Sequence, residues 1–528
     1  MSQDPTAIQH AADAASAAYK RRLVELPHSF RPMTMAAALR AATRREPGKI
    51  ALIHEGRNIT YRDFMRRVDQ ATDAAIGVLG LKKGQNAVVI ARNCIEYLEI
   101  ICGLPEAGVP VATVNPRLTL SEIKEICEDA QAAVIFVDAK TAPVVRSIDL
   151  HPRPHIIEIG PQYEAWLTRN TRPVQRPLIE EWDIWSIPYT SGTTGRPKGV
   201  MLSHRARIMN FLAKSGEYGC FSSEDRFLSI SPMNHGPGTA FPLNALIFGG
   251  SVEILDRFDP VTVLRKLKHD KFTGIFMVPT HFHGVFEVDA AILAECRRPP
   301  IRTIISSAAA LSQEMKEKVV DYFGEGVLHE LFSSTENSLV SNLRPADQLR
   351  KTRCVGLPFA QALVSIRNEQ GKECAPAEVG ELFSLSPYTF SGYWNRPEET
   401  AAAFHEGWVT VGDLARRDDE GYIYIVDRKK DMIITGGVNI YPREIEQVLA
   451  TYPGVTAVAV VGAPHPKWGE IPRVFVTLAQ DATLTLDDVR DFCSDRLAAF
   501  KIPKELRVLE SMPRNGNGKI LKTALRGM

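Results

Sequence analysis

The stretch richest in chemistry is residues 189–199, Tyr-Thr-Ser-Gly-Thr-Thr-Gly-Arg-Pro-Lys-Gly, directly after the apolar run Ile184–Pro188. Gly192, Gly195 and Gly199 let backbone come close to an anion. Thr190, Ser191, Thr193 and Thr194 supply hydroxyl donors, and Lys198 adds a point charge for phosphate oxygens. In composition this is a polyphosphate cradle. It is not a Walker A loop, because Pro197 falls five residues after Gly192 and Lys198 is followed by Gly199, where that motif has Ser or Thr. Cleavage of a γ-phosphate is therefore disfavoured. Taken alone, a Gly/Ser/Thr string also reads as a surface loop.

The full string Thr190–Gly199 resembles the signature loop of the adenylate-forming superfamily, which includes acyl-CoA synthetases, adenylation domains and beetle luciferases. Further motifs carry the resemblance over nearly the whole chain. It implies that Thr190, Ser191, Gly192, Thr193, Thr194, Gly195 and Lys198 bind ATP. In Pro232–Gly238 it makes His235 the gate of the carboxylate pocket, beside Gly236, Gly238, Thr239 and Ala240, which leave room for an acyl chain. Ser306–Ser312 matches loosely a segment that is usually Gly-Gly-Ala-Pro, placing Ser307 at the adenine and Ala308 and Ala309 at the acyl group, without the glycines.

Leu331–Glu336 resembles the family's Tyr-Gly-x-Thr-Glu. Phe332 would stack on adenine, Ser333 stands where Gly is usual, Thr335 would bond phosphate and Glu336 would hold magnesium. One hard carboxylate suits Mg²⁺, which takes its remaining ligands from phosphates and water. Gly407–Asp413 resembles Trp-x-x-Thr-Gly-Asp. Asp413, a pure acceptor when ionised, suits the ribose diol, with Arg428 joining it. Lys430 matches the family hinge, Gly436 and Gly437 the pantetheine tunnel of the CoA site, and Lys519 in Pro513–Lys522 the adenylation lysine. Apart from the resemblance, His235 reads as a core histidine, Glu336 as a solvated acid, Asp413 as a turn residue and Lys519 as a solvated lysine.

The resemblance thus implies an ATP-dependent carboxylate–CoA ligase with catalytic residues Thr190, Lys198, Glu336 and Lys519. An acyl-adenylate forms with release of pyrophosphate, then an acyl-CoA thioester with release of AMP. ATP, Mg²⁺ and coenzyme A are the implied cofactor and co-substrates, and the small-molecule substrate is a fatty, aromatic or cyclic carboxylic acid. The rivals are an amino-acid adenylation domain, which would place an Asp where Asn234-His235 stands, a ligase loading a carrier protein, luciferase-like oxidation, and a non-catalytic nucleotide-binding protein.

Such a site needs rigid elements beneath it. From about Lys49 to Ser333 short apolar runs alternate with longer amphipathic stretches, the pattern of βα repeats. Strands are expected at Ala87–Ile90, Ala133–Val137, Phe227–Ile230, Val252–Leu255, Gly274–Val278 and Thr303–Ser306. Helices are expected at Ile95–Glu106, Pro260–His269 and Gln313–Phe323. Shorter strands follow Gly356, at Val364–Arg367, Gly380–Leu385 and Tyr422–Val426. The last unit is mixed, with helices at Arg443–Thr451 and Leu486–Leu497 and strands at Ala457–Val461 and Val474–Leu478. The expected fold class is α/β: a large N-terminal domain of parallel α/β subdomains plus a small β lobe, 1–429, then a small α+β C-terminal domain, 430–528, which the resemblance implies is mobile.

Lys+Arg 63 against Asp+Glu 62 leaves a net charge of +1, which calls for neither nucleic acid nor an anionic membrane. The eight cysteines show no ligand spacing, and with no basic-then-apolar leader at the N-terminus a reducing, cytoplasmic setting is expected. Phe227–Val252 lacks Lys, Arg, Asp and Glu, yet Pro232, Pro237 and Pro242 make it a buried loop, helix and strand, so no membrane span is expected. A homodimer is left open.

Overall fold

The structure is a computed structural model that describes residues 32–169, 174–191, 197–435, 438–514 and 520–528. They form two compact units, one running to Leu363 and including Ser384–Val409, the other comprising Val364–Phe383 and Thr410–Met528. The expected helix at Ala11–Tyr19 lies outside the described residues.

Two sheets build the first unit. The larger has nine strands in the order Leu357–Pro358, Ser338–Leu343, Leu328–Ser334, Thr303–Ser306, Gly274–Met277, Arg226–Ser229, Ser251–Ile254, Ile50–His54 and Arg57–Thr60. Its middle is parallel and its edges antiparallel. The second sheet runs Gly392–Tyr393, Pro197–Ser203, Ile184–Ser186, Val111–Thr113, Asn86–Ile90, Ala132–Val137 and His155–Glu158, with Tyr189–Ser191 paired to Pro197–Ser203. All five residues of Asn86–Ile90 are buried, as a central parallel strand covered on both faces requires.

The covering helices carry their own start signals. Thr60, Thr119, Asp259 and Ser312 each cap the helix that follows through a side-chain oxygen. Phe227–Val252 resolves into a strand ending at Ser229, the helix Gly236–Ile247 and a strand from Ser251. Among the described residues no helix is long and apolar enough to cross a membrane.

In the second unit, Gly380 and Glu381 pair with Ala415 and Leu414, and Asp413–Arg417 pairs with Ile423–Arg428. A mixed α+β body follows. The long hairpin Val455–His465 with Gly469–Leu478 is flanked by Ile433–Thr435 and by Glu505–Val508, with helices Pro442–Leu449 and Leu486–Ser494 packed on it. The compact unit that holds this body also takes in Val364–Phe383 and the chain from Thr410 onward.

Candidate active site

The phosphate-loop stem is a β-ladder. Tyr189 faces Gly199, Thr190 faces Lys198 and Ser191 faces Pro197. Gly192, Thr193, Thr194 and Gly195 lie outside the described residues, as does the side chain of Ser191. A Cβ on Gly199 would stand 2.7 Å from Ile187 Cγ2 and 3.1 Å from the Tyr189 ring, so closeness of the two strands requires glycine there. Tyr189 donates its hydroxyl to Asp129 Oδ2 at 2.7 Å, while Arg396 Nη2 binds Asp129 Oδ1 at 2.5 Å and Trp394 Nε1 donates to the Asp129 carbonyl at 3.0 Å. Burial, helped by Asp129, pushes the Tyr189 hydroxyl well above its ordinary value, so it acts as a neutral donor. Asp129 therefore pins the stem from below.

Beside the stem, Tyr393 links two predicted residues. It sits in a short strand opposite Val200, with Lys198 Nζ 5.2 Å from its ring centroid. Its hydroxyl donates to Glu336 Oε1 at 2.8 Å. Glu336 occupies the turn between Leu328–Ser334 and Ser338–Leu343, where Ser334 Oγ accepts from the Asn337 amide and Ser338 takes a φ of +62°. The Glu336 carbonyl accepts from the Phe390 amide at 2.9 Å. Phe332, Ser333 and Thr335 precede it half-buried, with a register break between Phe332 and Ser333. Among the described residues no group of three or more His, Cys, Asp or Glu could hold a metal ion. A lone Glu336 fits Mg²⁺ arriving with a polyphosphate, which needs only one or two protein carboxylates.

The expected acyl gate is built by the loop entering the helix Gly236–Ile247. Asn93 accepts from the Met233 amide and donates to the carbonyls of Ser231 and Leu255, and Thr113 donates to the Asn234 carbonyl. His235 is the helix N-cap residue, its Nε2 3.1 Å from the donating Asn234 amide. Burial, with Arg117 adding repulsion, pushes its pKa down to about 4, so the ring is neutral near pH 7. At Gly236 a Cβ would meet nothing within 4 Å, whereas at Gly238 it would lie 2.0 Å from the Pro232 carbonyl oxygen. Ser307 is buried, Ala308 and Ala309 are exposed, and Ala308 adopts a φ of +74°. The loose match at Ser306–Ser312 thus keeps a left-handed backbone turn that glycine would occupy without strain.

In the second unit Asp413 faces Arg428 across the ladder, and Arg428 Nε donates to Asp413 Oδ1 at 3.0 Å. Asp427 accepts from the Arg443 amide at 2.8 Å, fixing the start of the helix Pro442–Leu449. Lys430 lies in a single helical turn, its carbonyl accepting from Arg526, and burial pushes its ammonium below its ordinary value. Gly436, Gly437 and Lys519 lie outside the described residues.

A model of the AMP-binding enzyme family matches residues 39–394, and one of the AMP-binding enzyme C-terminal domain matches 444–519. Feruloyl-CoA synthase of Amycolatopsis sp is 31% identical over 487 residues, covering 92% of this chain and 96% of the relative. A long-chain-fatty-acid–CoA ligase of Bacillus subtilis is 31% identical over 541 residues, covering 95% and 96%. Among solved structures, O-succinylbenzoate coenzyme A synthetase from Bacillus subtilis in complex with ATP and magnesium ion matches with a TM-score of 0.81 at 27% identity, over 92% of this chain and 98% of that one.

Proposed function

The chain belongs to the AMP-binding enzymes and is an AMP-forming acid–thiol ligase using ATP, Mg²⁺ and coenzyme A, and we propose how its own residues divide that work. The observation that carries the assignment is the file Lys198, Tyr393, Glu336 alongside the hairpin stem. It sets a cation, a hydroxyl donor and a carboxylate in one row, which suits a nucleotide polyphosphate with its divalent ion.

Thr190 and Lys198 hold phosphate oxygens, with Ser191 to Gly195 completing the cradle. When bound at Glu336, Mg²⁺ supplies charge neutralisation to the phosphates. Tyr393 keeps that carboxylate aimed by donating to one of its oxygens. Phe332 offers its ring to the adenine, Ser307, Ser333 and Thr335 line the nucleotide, and Asp413 with Arg428 takes the ribose. The substrate carboxylate is already an anion, so no general base is required. One of its oxygens bonds to the α-phosphorus as the bond to the β-phosphate oxygen breaks, and pyrophosphate leaves with that electron pair. Catalysis here is positioning and charge neutralisation, with Lys519 bridging carboxylate and phosphate.

His235, neutral at working pH, closes the acyl side without attracting the adenylate. In the second half-reaction the CoA sulfur, as thiolate, attacks the acyl carbon and AMP departs. Gly436 and Gly437 allow the pantetheine arm close to the backbone, and Lys430 is the point about which the C-terminal body, 430–528, turns. The acid is a fatty, aromatic or cyclic carboxylate. The eight cysteines, scattered without ligand spacing, fit a reducing cytoplasm.

The test is product analysis with a panel of carboxylic acids, with and without CoA. AMP and pyrophosphate in equal amounts, and thioester only when CoA is present, are expected. ADP with orthophosphate would remove the ligase reading, and thioester on a carrier protein but not on CoA would redirect it.

A further inference from the structure

The helix His204–Tyr218 turns an unusual face inward. Arg207, Asn210, Phe211, Lys214 and Tyr218 are among its buried positions and follow one another at three- and four-residue spacing, where a helix packed on a core carries apolar side chains. Arg207 is 8% exposed and Lys214 3%. Among the described residues neither has a carboxylate within ion-pair distance, and Arg207 Nε has no hydrogen-bond partner. By contrast Lys316, buried in the same unit, sits 2.5 Å from Glu330 Oε2. The Lys214 ammonium lies 4.3 Å from the Phe241 ring centroid and 5.4 Å from that of Phe211. Aromatic faces offset only part of the cost of burying an ammonium. Burial pushes Lys214 well below its ordinary value, Arg207 pushes it further, and Arg207 itself is lowered to about 10.

The surroundings tie this face to the acyl gate. Phe241 stands six residues into the chain after His235, roughly 9 Å along the helix axis from the gate. Asn244 on that helix donates to Ser215 beside Lys214 at 3.0 Å. Asn210 donates to Ser338 Oγ at 2.6 Å, just past the turn that holds Glu336. The helix that carries these two cations is thus tied both to the helix that starts at the expected gate and to the strand that follows the Glu336 turn.

We propose that Arg207 and Lys214 bind a second carboxylate at the far end of the acid substrate, so that the preferred substrates are dicarboxylic acids. The inference rests on the ligase reading and narrows its substrate class. A distal carboxylate converts two unanswered charges into a paired cluster. A neutral tail leaves them buried and unpaired, so discrimination works by penalty as well as by attraction.

The experiment measures kcat/KM for AMP formation with the full chain, using α,ω-dicarboxylates of increasing length against monocarboxylates of equal carbon count, and aromatic acids with and without a second carboxylate. At least one pair should favour the diacid by roughly 30-fold or more, the scale of a buried charge pair. In Lys214→Met and Arg207→Met that ratio should collapse toward one. AMP formation with neutral-tailed acids at equal or higher kcat/KM in every pair overturns the inference while leaving the ligase standing. Absence of AMP with every acid instead overturns the ligase reading, and this inference with it. Where a variant fails to fold, the wild-type ratio decides alone.

Discussion

Tyr393 places two chemistries on one side chain, a ring face beneath Lys198 and a hydroxyl on Glu336. Tyr393→Phe keeps the first and deletes the second. It should cost about tenfold in adenylation, the worth of one hydrogen bond to a charged group, and show mainly as a raised KM for Mg·ATP. Pyrophosphate release checks it, and unchanged kinetics would mean that Glu336 is aimed by something else. Thr190, Lys198 and Glu336 could be proposed from the sequence because each belongs to a short contiguous string. Tyr393 and Asp129 were not. Tyr393 meets Glu336 across 57 positions, and Asp129 meets Arg396 across 267, pairings made only by folded strands.

The element scale is decided by where backbone must come close. At Gly238 a methyl group would sit 2.0 Å from the Pro232 carbonyl oxygen, and backbone cannot swing aside as a side-chain tip can. Gly238→Ala should therefore lower stability by roughly 2–3 kcal/mol in urea titration, while Gly236→Ala, with open space around it, should change stability by less than about 1 kcal/mol. Equal losses would mean that the entry turn is not what the close approach constrains. Most elements of the large unit were readable from periodicity, since buried parallel strands are apolar throughout and their helices carry Thr, Asp or Ser caps. The exceptions have physical causes. The helix expected over Ile95–Glu106 ends at Gly103 and tightens into a 3₁₀ turn, where Pro105 has no amide hydrogen to continue it. The strands expected at Ala457–Val461 and Val474–Leu478 extend to Val455–His465 and Gly469–Leu478, because each lengthens against the other. The strand expected at Tyr422–Val426 runs instead from Ile423 to Arg428, which is what brings Arg428 onto Asp413.

At the scale of the whole molecule, histidines shielded from water should make stability fall in acid. Burial pushes His204, His281 and His329 each down to about 4, and His204 Nδ1 accepts from the Met35 amide, a bond that needs an unprotonated nitrogen. The unfolded chain takes up these protons near 6.5 and the native state only near 4. Their stabilisation is therefore complete above 6.5 and is lost as pH falls from 6.5 toward 4, on the order of 2–3 kcal/mol for His204 alone. Urea midpoints across that window should fall, and His204→Gln should flatten the slope. The remaining whole-molecule question is the proposed turn about Lys430. Proline there fixes φ and also restricts Lys429 before it, so the torsional change that a hinge needs is blocked without touching the phosphate-side residues. Lys430→Pro should leave a normal first-turnover burst of pyrophosphate and reduce thioester formation by about 100-fold. Lys519→Ala should do the reverse, abolishing adenylation while still converting supplied acyl-adenylate to thioester. A fold defect in Lys430→Pro would depress both half-reactions together, and normal overall turnover would take Lys430 out of the hinge. Only opposite losses in the two variants are the mark of one protein that meets its two substrates, ATP and CoA, in two arrangements.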